Sequence, residues 1–130
     1  MLLIILLVLA LTVVQALLPG KYLTEQVGPA AQMGPRDELP PPSLMLARSR
    51  RALANLHETL PVFLTLAVLS IVLGEQGWLS LAGAALFLVG RAVHVVCYLK
   101  ALSPWRSLAF SVAFVGLLLL VVPLVPHIFA

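Results

Sequence analysis

Two short stretches of this chain hold residues whose types and spacing could do chemistry. In the first, Arg51, Asn55 and Glu58 fall at i, i+4 and i+7, with Arg48 one turn earlier. In the second, Arg91, His94 and Tyr98 fall at i, i+3 and i+7, and Arg106 and Ser107 follow beyond Ser103-Pro104. On a helix either spacing puts its members on one face. Each residue also has a plainer reading. Arg91 and Glu58 could form a buried ion pair that fixes helix register, Asn55 could bond to a neighbouring helix, and His94 and Tyr98 could anchor at a membrane interface. Together they carry at least three arginines against one carboxylate. A brace needs one pair of charges, so this excess asks for an anionic ligand.

The elements that carry these residues are apolar. Of 130 residues, 62% are hydrophobic and 10% charged, where a soluble domain has about 25% charged. The mean hydropathy is +1.10. Four segments, about 2–22, 44–73, 78–102 and 104–122, are long enough to span a bilayer as helices. The expectation is an all-α, single-domain, integral membrane four-helix bundle over residues 1–130. The first apolar run has no Lys or Arg ahead of it and is long for a signal-peptide core, so it reads as a span that ends around Pro19, Gly20 and Tyr22. Residues 24–43, with Gly28, Pro29, Gly34, Pro35 and Pro40-Pro41-Pro42, read as a polar loop. Ser43 is an expected N-cap, and Pro61 is expected to free the carbonyl of His57 inside the second span. Ser103 and Pro104 read as the N-cap and first position of the fourth.

Lys21, Arg36, Arg48, Arg50 and Arg51 lie in or beside the first connection, Lys100 and Arg106 flank the third, and the second has no Lys or Arg. The positive-inside rule then puts connections one and three in the cytoplasm and both termini on the far side. Both polar stripes and Arg106 converge in the cytoplasmic half. A charge near the bilayer centre costs about 2.5–3.5 kcal/mol, so residues kept there have a use or a partner. Glu58 is the sole carboxylate inside these four segments, and Arg91 is its natural partner.

Other chemistry has little support. His57, His94 and His127 are too far apart for metal-ligand spacing, so no metal site is expected. No glycine-rich phosphate loop occurs. No basic run is interleaved with aromatics, so no nucleic-acid partner is expected. The single cysteine, Cys97, sits in an apolar stretch and reads as packing.

The stretch from Arg48 through Arg51, Ala52, Asn55, Glu58 and Pro61 to Phe63 resembles the signature of the MAPEG family, membrane-associated proteins of eicosanoid and glutathione metabolism. Gly90-Arg91, His94 and Tyr98, followed by Pro104-Trp105-Arg106-Ser107, resemble that family's third helix and the opening of its fourth. The resemblance implies a left-handed four-helix bundle assembled as a homotrimer, with glutathione between adjacent subunits in the cytoplasmic half. It implies that Arg48, Arg51, Asn55, Glu58, Arg91, His94 and Tyr98 bind glutathione, and that Arg106, with Ser107, sits near the sulfur. A lipophilic electrophile would reach the thiolate from the bilayer, in a bacterial-type transferase or peroxidase of the inner membrane. Ala47, where many members have an acidic residue, and Phe110 and Phe114, where some offer polar groups, depart from the pattern, and Lys21 is the nearest cation to an arginine often found past the first helix. A non-catalytic lipid-binding or scaffold member of the same fold is the alternative. A small proton-coupled transporter using Glu58 is another, although arginines able to pair with Glu58 weigh against it.

Overall fold

The computed structural model describes all of Met1–Ala130 and is entirely helical apart from its connections. Five α-helices run in the order α1 (Leu2–Val27), α2 (Pro29–Met33), α3 (Leu44–Val72), α4 (Trp78–Leu99) and α5 (Trp105–Val121), and a 3-10 helix covers Val122–Ile128. Four helices are long and apolar enough to cross a membrane: α1, α3, α4, and α5 taken together with the 3-10 segment. They alternate in direction. One end therefore gathers the α1–α3 connection and the α4–α5 turn with their cations, and is called the basic end below. The opposite end gathers Met1, the α3–α4 turn and the 3-10 segment.

The first connection is shorter than the prolines and glycines suggest. α1 runs through Pro19 and past Tyr22 to Val27, where Gly28 caps it at φ 84° and donates its N–H to the Thr24 carbonyl. A proline removes one helical hydrogen bond but does not stop the chain when the flanking residues still pack, and here Leu23 beyond it is buried. Gln26 holds the far side of the loop. Its Nε2 donates to the Pro41 carbonyl at 2.8 Å, and its Oε1 accepts from the Ser43 N–H at 2.9 Å. α3 then starts at Ser43, whose Oγ accepts from the Leu46 N–H at 3.2 Å. It continues unbroken through Pro61. Ser103 does not cap α5: Pro104 occupies the N-cap and no side chain bonds there.

The middle and the opposite end are packed by small and aromatic side chains. Phe63 of α3 stacks on Phe87 of α4, with ring centroids 4.4 Å apart. Ile5, Val8, Ala67, Ala84, Ala113, Leu117 and Leu120 complete this core. α4 and α5 are the most extensively packed pair. A Cβ on Gly116 would lie 2.5 Å from the Gly83 carbonyl oxygen, and one on Gly90 would lie 2.7 Å from the Ala113 nitrogen. In a bilayer lipid is as apolar as leucine, so such close backbone approach takes over the role that hydrophobic burial plays in water. At the opposite end His127 Nε2 lies 2.9 Å from Glu75 Oε1, which ties the 3-10 segment to the α3–α4 turn.

Candidate functional site

α3 and α4 meet near the basic end through polar side chains. Arg91 is fully buried at 0% exposure. Its Nη1 donates to Asn55 Oδ1 at 2.9 Å. Asn55 Nδ2 in turn donates to Glu58 Oε2 at 3.4 Å. The expected direct pair between Arg91 and Glu58 is therefore not formed. Glu58 is exposed on the outer side of α3, and Asn55, one turn nearer the basic end, stands between them. An amide can do this because it offers an acceptor to the guanidinium and a donor to the carboxylate at once. Arg48 closes the basic end of the α3–α4 interface by donating from Nη1 to the Leu99 carbonyl at 3.1 Å.

Two adjoining recesses open beside this interface. One, of about 410 Å³, is lined by Arg48, Arg51, Cys97, Tyr98, Ala101, Leu102, Ser103 and Arg106. The other, of about 310 Å³, is lined by Asn55, His94, Tyr98, Arg106, Ser107, Phe110 and Ser111. Tyr98 and Arg106 line both, and the Arg106 guanidinium lies over the Tyr98 ring at 5.0 Å. Such a contact holds a cation in place without neutralising it. His94 packs edge-on against Tyr98, with centroids 5.5 Å apart, and also meets the Phe110 ring.

Of the residues singled out by spacing, Arg48, Arg51, Asn55, His94, Tyr98, Arg106 and Ser107 line these two recesses. Arg91 lies behind them, linked through Asn55 and facing Phe110 with its Cζ 6.0 Å from the ring. Glu58 reaches the group only through Asn55 and lines neither recess. Cys97, Ser103 and Ser111 are additions to the lining. Ser111 repeats Ser107 at i+4 and donates to its carbonyl at 3.1 Å, a spacing visible in the sequence. Nothing in the sequence set Cys97 apart from the other small residues of α4.

The electrostatics are one-sided. Arg91 Nε and Nη2 and His94 Nδ1 are buried with no hydrogen-bond partner. Arg51 and Arg106 form no ion pair in the chain. A buried donor without a partner costs more than a typical hydrogen bond returns. The lining of the two recesses carries arginines and no carboxylate, and the buried Arg91 behind them has two guanidinium nitrogens without a partner.

The profile of the MAPEG family matches residues 1–125, nearly the whole chain. The chain belongs to the MAPEG family. That membership and the four apolar helices make it an integral membrane protein. The family includes glutathione transferases and peroxidases as well as other members, and its members commonly use glutathione. Comparison with individually curated proteins gives no match.

Proposed function

We propose that this MAPEG protein binds glutathione in the paired recesses and uses it against lipophilic electrophiles, as a transferase or peroxidase. The observation that carries the reading is the buried Arg91, held by Asn55 through one nitrogen and left with two donors free, beside recesses lined by Arg48, Arg51 and Arg106. Glutathione fits this donor set: its two carboxylates suit arginines, which bind carboxylates in a two-pronged geometry, and its ammonium suits Glu58.

Glutathione would supply the thiol nucleophile. The protein's own residues have separable tasks. Arg48 and Arg51 hold carboxylates from the lining, while Arg91, bonded through Asn55, adds its charge from behind the recesses. Tyr98 stands between the two recesses, and His94 backs it in the lining of the second. Arg106, fixed over Tyr98, places a positive charge where a sulfur would sit, and a neighbouring cation favours the thiolate over the thiol. Ser107 offers a hydroxyl at the same helix opening. Phe110 and Phe114 continue the α5 surface toward the apolar middle of the bundle, a path suited to a lipophilic reactant arriving from lipid. The basic end faces the cytoplasm by the positive-inside rule, in a bacterial inner membrane. In a homotrimer the recesses would face a neighbouring subunit.

The reading is tested by turnover of purified protein in liposomes, with glutathione and a lipid-soluble aryl halide or hydroperoxide. Turnover is expected, and Arg106→Ala should lower it about 100-fold or more while glutathione still binds. Binding without turnover on either substrate class would instead make the protein a non-catalytic member of the fold.

A further inference from the structure

Gln15 of α1 is a polar residue inside a membrane helix, 2% exposed, and neither of its amide atoms has a partner. It shares the inward stripe of α1 with Ile5 and Val8, which pack in the core with Phe63 and Phe87. Its depth follows from that core. Gln15 lies two turns beyond Val8 toward the basic end, about 10 Å. Asn55 lies a little over two turns from Phe63 in the same direction, and Arg91 one turn from Phe87. The α1–α3 register agrees, because Ala16 and Leu17 line one recess together with Leu53, Ala54 and His57. Gln26 also bonds to the chain at Ser43, which puts Gln15, eleven residues back, level with α3 about eleven residues on. Gln15, Asn55 and Arg91 therefore form one interior layer, contributed by three helices.

The acceptors and donors of this layer are complementary. Arg91 has Nε and Nη2 free, and Gln15 has a free carboxamide. The Gln15 backbone carbonyl also lacks its regular helical donor, since residue 19 is proline and has no N–H. In hydrocarbon no water answers such groups, so each is costly until it finds a protein partner or an enclosed water. α1 also packs against α4, the helix that carries Arg91.

We propose that Gln15 is a positioning residue for Arg91: its Oε1 accepts from the inward side of the guanidinium, directly or through one enclosed water, while Asn55 holds Nη1. Clamped from α1 and α3, the guanidinium keeps its charge fixed directly behind the two recesses. The role in binding rests on the reading of Arg91 as a glutathione residue; the contact itself does not.

The test uses the full-length protein in lipid nanodiscs and reads hydrogen exchange at the Arg91 Nε–H by nitrogen-15 NMR, the resonance being assigned by its loss in Arg91→Lys. Gln15→Leu suits a lipid-embedded helix, so folding is not at risk. In the ligand-free protein, Gln15→Leu is expected to speed that exchange about tenfold or more, and Gln15→Glu, which keeps an acceptor oxygen, to restore most of the protection. Unchanged exchange in Gln15→Leu overturns the contact, and equal exchange in the Leu and Glu variants overturns the acceptor role. Glutathione affinity should fall about tenfold in Gln15→Leu and recover in Gln15→Glu. Should the native protein bind no glutathione, the proposed function fails while the exchange comparison still decides the contact. Should it bind with affinity equal in all three proteins, the positioning role fails alone.

Discussion

The two ends of this bundle solve opposite problems with the same four helices. The middle and opposite end are held by contact: Phe63 stacked on Phe87, Gly83 against Gly116, and a core of Ile, Val, Leu and Ala. The basic end is held by polar bonds through Asn55, Arg48 and Gln26, and it leaves strong donors unused. Packing at one end brings helix backbones into contact; polar bonding at the other leaves two open recesses and unmet charge. The comparison teaches that stability and function are separated along the helix axes, so substitutions at the two ends should fail in different ways.

The largest expected effect is at the packed end. Gly116→Leu puts a side chain where a single Cβ already comes within 2.5 Å of the Gly83 carbonyl oxygen and 2.7 Å of the Phe87 nitrogen. α4 and α5 must separate, at a cost of about 3 kcal/mol. Thermal unfolding in detergent should show a much lower midpoint, and whatever protein stays folded should keep its ligand affinity. Next comes Arg91→Ala at the other end. Glutathione affinity should drop about 100-fold, in line with loss of a charge-assisted bond. The unfolding midpoint should fall much less than in Gly116→Leu, because the lost bond to Asn55 is offset by removal of a buried charge with unmet donors. A loss of stability in Arg91→Ala as large as that in Gly116→Leu would break the comparison, since it would make the arginine chiefly a brace. The smallest effect belongs to Glu75→Gln, which removes the pair with His127. Both side chains are about one-third exposed, at 37% and 31%, so stability should change by no more than about 0.5 kcal/mol and ligand affinity not at all.

The separation of the two ends was only partly visible in the sequence. Residues of one helix face announce themselves by spacing: Arg51 and Asn55 of α3, and His94 and Tyr98 of α4, line the two adjoining recesses. Partners across helices do not announce themselves. Charge suggested Glu58 for Arg91, whereas geometry supplied Asn55, because rotation about a helix axis decides which of two polar neighbours faces inward. Proline and glycine overstated the length of the first loop, since Pro19 costs α1 one hydrogen bond while Leu23 and Gln26 still anchor the helix beyond it. Gln15 is the one amide in the apolar run that opens α1, but the apolar residues around it do not say which stripe faces the bundle; the packing of Ile5 and Val8 does. Cys97 reads from the sequence as packing and Ser103 as an N-cap, yet both line a recess, as does Ser111, because small side chains line a cavity by position, not by type.

The central claim is that the unmet donors at the basic end exist for a carboxylate-bearing thiol. Calorimetric titration of glutathione into the purified protein, beside the Arg91→Ala variant, tests it most directly. Saturable heat is expected with the native protein, and affinity about 100-fold weaker in the variant, with only a small loss of thermal stability. No heat with the native protein, or equal affinity in the two, would contradict it.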